Sequence, residues 1–328
     1  MKSLLCLVLV LVIIDLFEAF SLKDVAEWNR YKAKYDKKYR QTEDARRFAI
    51  YMEKREVIEE HNKLYQQGVH SYTKGINRFT DMKREEIPRG IRPGGQFPVG
   101  SGVDLGLKEL DVPSEWDWRQ HNAVTSVRDQ HRRGLCWAFA IVASVEGANS
   151  LKNHQLSEEL SEEQLSDCLH HPSEIHVRDI PEVYNYIKGK GLESEQSYPY
   201  DRQSIEPCQY DSSKVVARIS EFHTKTNIDE NELLAAVYKY GPTVVLIDAS
   251  HLGDYHEGII DSSTNDCPTE GTRIDHAVTV VGYGTENGKP YWIIKNSWGT
   301  GFGENGYMRV VRNKNMCLIR TEAVMSKA

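Results

Sequence analysis

The sequence predicts an α+β protein in which a helical amino-terminal segment precedes a larger body, and three observations carry that prediction. Bulky apolar residues recur at helical spacing within charged surroundings, with Trp28, Tyr31 and Tyr35 in 23–39 and Phe48, Tyr51, Val57 and Ile58 in 43–62. A Gly/Pro-rich stretch from Pro88 to Gly106 then interrupts the chain. Beyond it, a helix-rich half gives way after Val215 to short β-branched segments separated by glycine-rich turns.

The first twenty residues stand apart from this plan. Lys2 precedes an apolar run, Leu4 to Ile14, too short for a stable membrane span, and the more polar Asp15–Ser21 follows. This pattern reads as a signal peptide over residues 1–20, cut near Ala19 or Phe20, which sends the rest into an oxidising compartment. Secretion or a lysosomal destination follows, although no Asn-x-Ser/Thr sequon offers a glycan handle. The 328 residues carry a net charge of −7, and nothing in that balance points to a nucleic acid partner.

Residues 21–110 read as one segment and 111–328 as another. The first has 19 basic and 14 acidic side chains, about +5, and the second has 21 and 32, about −11. A basic segment tethered to an acidic body favours intramolecular docking that weakens as carboxylates protonate. The linker between them reads as an exposed connection open to proteolysis. Within the body, the Ala-rich run Trp137 to Val145 favours a buried helix. Leu156–Cys168 reads as a second helix, with Ser161 and Gln164 spaced as a capping box. The segments Thr243–Ile247, Ala277–Tyr283, Tyr291–Lys295 and Tyr307–Val311 read as strands.

Loss of the signal removes Cys6 and leaves Cys136, Cys168, Cys208, Cys267 and Cys317, an odd number that predicts two bridges and one free thiol. No CxxC spacing suggests a metal site. Cys136 follows Gly134-Leu135 where the apolar helix begins, and the positive end of that helix should lower the thiol pKa. His276, beside Asp275 and a strand-like run, is the candidate general base and acid. Asn296 is placed to fix its tautomer, Trp298 to shield that bond, and Gln130 to offer an amide N–H to an oxyanion.

Together these residues resemble the papain family of cysteine peptidases, in its cathepsin L-like branch. Gln130-His131-Arg132-Arg133-Gly134-Leu135-Cys136-Trp137-Ala138-Phe139 is similar to the family's Q-G-x-C-G-S-C-W-A-F. Asp275-His276-Ala277-Val278 and Lys295-Asn296-Ser297-Trp298-Gly299 match its histidine and asparagine blocks. Cys136 and His276 lie 140 residues apart, inside the roughly 130–150 expected of the family. Upstream, Glu43, Arg47, Tyr51, Lys54, Ile58 and Asn62 occupy the spacing of its E-R-F-N-I-N helix, with Tyr for Phe and Lys for Asn, and Gly75, Asn77, Phe79 and Asp81 match its G-N-F-D block. The resemblance implies a two-lobed fold, with a helical left lobe and a β-barrel-like right lobe. It implies peptide-bond hydrolysis through a thiolate–imidazolium pair and a thioester. It also implies residues 21–110 as an inhibitory propeptide removed at acidic pH, with no cofactor and no metal.

The family normally bridges a cysteine three residues before the nucleophile to a C-x-G-G stretch. Here Arg133 and Ile175-His176-Val177-Arg178 stand in those places, so both halves of that bridge are missing. The resemblance leaves Cys168–Cys208 and Cys267–Cys317 as the pairs. Val177 and Arg178 are expected to re-shape the S2–S3 wall, and His131, Arg132 and Leu135 replace small residues beside the nucleophile. Gly134 and Trp298 belong to the implied substrate groove. Leu246 and Ile274 would wall the S2 pocket, and Glu322 either faces a basic P2 side chain from its floor or turns to solvent. The implied partners are peptide substrates, the chain's own propeptide and cystatin-type inhibitors, acting on a monomer that holds no membrane contact after signal removal. A catalytically impaired homologue that binds rather than cleaves is the alternative.

Overall fold

The computed structural model describes residues 21–91, 105–169, 180–203, 205–261, 266–271 and 273–328. The signal segment, most of the linker and the positions of Val177 and Arg178 lie outside the described residues. The chain forms two compact units, one comprising the residues up to Val57 with Thr80–Met82, the other Ile58–Phe79 with Lys83–Ala328.

In the first unit, α1 (Leu22–Lys34) starts at a reciprocal cap in which Ser21 and Asp24 satisfy each other's backbone N–H. It buries Trp28 and Tyr31 against Tyr51 of α2 (Gln41–Gln66), with the Tyr31 and Tyr51 rings 4.7 Å apart. Asp81 is fully buried and accepts from the Tyr31 hydroxyl and the Lys37 ammonium, each at 2.9 Å, and from the Tyr39 hydroxyl. Arg47, paired with Glu43 at 2.6 Å, donates to the Asp81 carbonyl. A buried carboxylate satisfied in this way is stable only while those donors remain. Val57 does not join the apolar face; it is 48% exposed, one step off the stripe that carries Tyr51 and Ile58.

The second unit contains β1 (Tyr72–Lys74), β2 (Trp116–Asp117), α3 (Cys136–Asn153), α4 (Glu162–Leu169), α5 (Ile180–Lys190), β3 (Leu192–Glu193), β4 (Val215–Ala217) and β5 (Glu221–Thr226). It continues through α6 (Glu230–Tyr240), β6 (Thr243–Ile247), β7 (Tyr255–Ile260), β8 (His276–Glu286), β9 (Lys289–Lys295), β10 (Tyr307–Val311) and β11 (Glu322–Lys327). Among the described residues the main sheet runs β1-β7-β10-β9-β8-β6-β11-β5, with β2 added beside β8. The small pair β3–β4 stands apart with the helices. The whole is α+β, as its composition by halves predicts.

Helix α3 is buried almost end to end, which explains why its sequence is apolar without a polar face. Its residues pack with Leu165, Tyr184, Ile187, Leu246 and Ala277 into one core joining the helices to the sheet. The strands expected at 243–247 and 307–311 occupy those spans, while β8 and β9 extend past the expected ends. Two local readings change. The helix expected over 156–168 begins only at Glu162, and its capping box is half formed. Ser161 accepts the Gln164 N–H at 2.9 Å, but the Gln164 side chain turns to Gly191, Glu193 and Tyr186 instead. The strand-rich half also contains α6, started by the Asp229 cap on Asn231.

Bridges join Cys168 to Cys208 and Cys267 to Cys317, and Cys136 is free. No helix among the described residues is long and apolar enough to cross a membrane, and they contain no cluster of side chains suited to a metal.

Candidate active site

Cys136 is the first residue of α3, behind Leu135 at its N-cap. The strand register sets the imidazole opposite the end of β6, because His276 opens β8 facing Ile247. The backbone N–H of Ala277 donates to the Cys136 sulfur at 3.4 Å, so the residue next to His276 touches the thiol. Asn296 follows β9 directly, and its side-chain oxygen lies 2.9 Å from Nε2 of His276. Trp298 covers this pair, its ring 4.9 Å from the imidazole, and is itself buried. The Gln130 loop is fastened to the same segment: its N–H donates to the Ser297 carbonyl at 2.9 Å, and Ser297 Oγ donates to Gln130 Oε1 at 2.6 Å. Gln130 Nε2 donates one hydrogen to the Arg133 carbonyl at 2.8 Å, so only its second hydrogen remains for a ligand.

A stretch of the chain's own backbone lies across this site. Trp298 Nε1 donates to the Pro88 carbonyl at 2.9 Å. Arg89 pairs with Asp275 at 2.9 Å, and the Ile91 N–H donates to the Asp275 carbonyl at 3.3 Å. Gly90 passes so near Cys136 that a Cβ there would be 2.2 Å from the Gly134 oxygen and 3.0 Å from the Cys136 sulfur. The exposed connection expected from Pro88 onward is therefore corrected: Pro88, Gly90 and Ile91 are buried, held by groove residues rather than solvated. Further upstream, Asn77 Nδ2 donates to the Gly253 carbonyl at 2.7 Å. Arg78 grips Asp129 with both guanidinium nitrogens, and Phe79 meets Trp298 edge-on at 5.4 Å.

The electrostatics of the covered site differ from the sequence expectation. Burial pushes the Cys136 thiol up to about 12, against the opposing pull of the Ala277 and Gly90 backbone hydrogen bonds. Burial likewise lowers His276 to about 4, only partly countered by its bond to Asn296. The helix terminus that should favour a thiolate is outweighed, because Cys136 and His276 are both fully buried where the Pro88–Ile91 segment crosses them. His276 Nδ1 is buried without a hydrogen-bond partner among the described residues. In this closed form burial disfavours charge on both groups, and the sulfur takes backbone donors in place of the ring.

Leu246, Ile274 and Glu322 are all buried, and Ile91 packs into the same apolar cluster as Leu246 and Ile274. Glu322 does not turn to solvent. It sits in β11 opposite Thr226 with no exposed surface. Sequence reasoning missed Arg89, Asp275 and Asp129 as binding groups. Each is a charged residue in a loop or strand end, and only the fold reveals its partner.

Residues 112–327 match the papain family cysteine protease domain. The chain belongs to the papain family. Residues 28–87 match the cathepsin propeptide inhibitor domain (I29). A cathepsin L-like proteinase of Fasciola hepatica is 37% identical over 303 residues, spanning 90% of this chain and 91% of its own. Digestive cysteine proteinase 1 of Homarus americanus is 34% identical, over 90% of this chain and 92% of its own. Among solved structures, digestive procathepsin L 3 from Tenebrio molitor larval midgut superposes with a TM-score of 0.80 at 35% identity. It covers 94% of this chain and all of the other. This member of the papain family is a cysteine endopeptidase made as a zymogen, inhibited intramolecularly by its own propeptide.

Proposed function

We propose that Cys136 is the nucleophile of this papain-family enzyme and that His276, Asn296 and Gln130 complete its machinery. The observation carrying this reading is the backbone of Pro88–Ile91 lying in the groove, with Gly90 against the Cys136 sulfur: an extended peptide fits where a substrate must. Once that strand leaves, solvent returns, the thiol pKa falls, the imidazole pKa rises, and the proton passes from sulfur to ring. The thiolate attacks the scissile carbonyl. The oxyanion is held by the Cys136 backbone N–H and the second hydrogen of Gln130 Nε2. The imidazolium protonates the leaving amine, and a thioester forms. Water, deprotonated by His276, then releases the acid product. Asn296 keeps the ring turned through Nε2, leaving Nδ1 for the sulfur.

Residues 1–20 are assigned as signal peptide, 21–110 as propeptide and 111–328 as the mature enzyme, which acts as a secreted or lysosomal monomer open to cystatin-type inhibitors. On the non-primed side, Leu246 and Ile274 wall the P2 pocket and Glu322 closes its floor. The packing of Ile91 with Leu246 and Ile274 supports an apolar lining. The burial of Glu322 supports a carboxylate that a basic P2 group reaches only by entering that pocket.

Acid treatment of the precursor, followed by a fluorogenic peptide assay and intact-mass analysis, tests the catalytic reading. Hydrolysis should be absent from Cys136→Ala and reduced about 10²–10³-fold in kcat for Gln130→Ala. Full activity of correctly folded Cys136→Ala would remove the assignment. A panel with Arg or Leu at P2 tests the pocket: Glu322→Ala should selectively weaken cleavage of substrates carrying Arg at P2, and a Leu preference indifferent to that change would refute the role.

A further inference from the structure

We propose that Arg133 is a positioning residue whose guanidinium, clasped by Glu163, holds the Gln130–Gly134 loop in catalytic register in place of a covalent bridge. The inference rests on the reading of Gln130 and Cys136 given above. The family pattern that this sequence resembles places a bridging cysteine where Arg133 stands. Here no sulfur is available, and the structure supplies a dense set of polar contacts instead.

The Arg133 side chain is 11% exposed and that of Glu163 only 3%. Arg133 Nη1 donates to both carboxylate oxygens of Glu163, at 2.8 and 2.6 Å, and also to the Asp201 carbonyl. Its Nη2 donates to Ser166 Oγ at 2.6 Å. The Tyr200 ring lies 5.3 Å from the guanidinium carbon, and the Tyr200 hydroxyl donates to the Gln130 carbonyl at 2.9 Å. The Asp201 N–H donates to Glu163 Oε2 at 2.9 Å, so the receiving side is also fixed. One planar group thereby joins the Gln130–Gly134 loop to Glu163 and Ser166 of α4 and to the irregular segment at 200–201. A lysine has a single nitrogen and no fork, so it cannot reproduce this set.

The link to the chemistry is short and covalent. The backbone of Arg133 forms the two contacts that shape Gln130: its N–H donates to the Gln130 carbonyl at 3.2 Å, and its carbonyl accepts from Gln130 Nε2 at 2.8 Å. The next residue, Gly134, carries the carbonyl nearest Gly90. Moving Arg133 therefore moves the amide offered to the oxyanion, while Leu246 and Ile274 stay where the sheet and core put them. Loss of the clasp should thus be felt in kcat more than in KM.

The test uses enzyme matured in acid from the full-length precursor, with active sites counted by an epoxide thiol label so that kcat is given per competent sulfur. Arg133→Ala should lose about tenfold or more in kcat, with KM held within about threefold, as expected for a small displacement of an oxyanion donor. Guanidinium chloride at low millimolar concentration should restore part of that loss by filling the vacated site, and should leave the wild type unchanged. Should Arg133→Ala fail to fold, Arg133→Lys and Glu163→Gln carry the same expectation, lower kcat at near-constant KM. Variants that fold and keep kcat within about twofold of wild type overturn the proposal, as does a loss confined to KM. An active wild type with indifferent variants sinks this inference alone. A wild type without Cys136-dependent hydrolysis sinks the catalytic reading and this one together.

Discussion

A single methyl group separates a tight cover from a leaky one at Gly90. Its absent Cβ would intrude on the Gly134 carbonyl and the Cys136 sulfur, and backbone, unlike a flexible side chain, cannot move aside cheaply. Gly90→Ala in the precursor should lift the strand by overpacking, at a cost of about 1–3 kcal/mol. The expected result is thiol labelling roughly tenfold or more faster at neutral pH, since each 1.4 kcal/mol is a factor of ten. Equal labelling rates for the two precursors would show that Gly90 does not set the seal. That Cys136, His276, Asn296 and Gln130 come together was readable from sequence, since each belongs to a local motif whose spacing survives in the primary structure. The protonation state was not, because it depends on which chain segment covers the pair, and that is a tertiary fact.

The elements that anchor the propeptide strand have their own acid response. Strand β1 pairs with β7, Tyr72 opposite Gly258, and Gly258 adopts φ +99° where a Cβ would meet Ser71 and Tyr72 backbone at under 3 Å. Asp266 anchors the junction through Lys74 at 2.9 Å and through the Tyr72 hydroxyl. Against it lies His61, its Nε2 3.0 Å from the Tyr72 carbonyl and its ring stacked 4.3 Å from His70. Burial lowers His61 to about 4, helped by the Lys74 and His70 charges and opposed by Tyr72 and Asp266. A depressed base binds fewer protons in the closed form than in the open one, so its contribution is complete above about 6.5 and is lost as pH falls from there towards 4. His276 titrates in the same direction. His61→Gln should therefore shift the midpoint of acid maturation to lower pH, measured by precursor disappearance on gels across a pH series. An unchanged midpoint would exclude His61 from the trigger. At this scale the sequence was legible where periodicity was long, as in α1 and α2, or where an Ala-rich apolar run was long, as in α3. It failed for α6, eleven residues surrounded by strands, and for Gln164, whose side chain had better partners across the fold than at its own cap.

Over the whole molecule, an interior charge network ties the helical half to β9, which ends at Lys295 just before Asn296. Glu146 accepts from Thr125 at 2.5 Å and from the Leu160 N–H at 2.8 Å, and Lys295 donates to the same Thr125 at 3.1 Å. Arg128 reaches Glu162 at 2.5 Å and Glu195 at 2.6 Å. Removing one member strands the others without solvent, so Glu146→Ala should destabilise the protein by about 3–5 kcal/mol. Urea unfolding would detect it, and a loss under 1 kcal/mol would count against the network. None of these pairings was visible in sequence, where charged residues inside an apolar context carry no label for their partners. The division into a basic leading segment and an acidic body was visible, as was the change from helix to strand along the body. The reading of the linker as wholly exposed was not sustained, since its first residues occupy the groove.

The central claim is that the propeptide strand silences the enzyme by keeping sulfur and imidazole uncharged. Its most direct test is the pH dependence of epoxide or alkylating-agent labelling at Cys136, followed by intact mass, in the precursor and after maturation. The account predicts a precursor whose labelling stays slow from pH 7 to 8, where burial still disfavours the thiolate, and quickens only as acid opens the cover, and a mature enzyme labelled rapidly across the whole range. Equal, rapid labelling of both forms at pH 7 would contradict it.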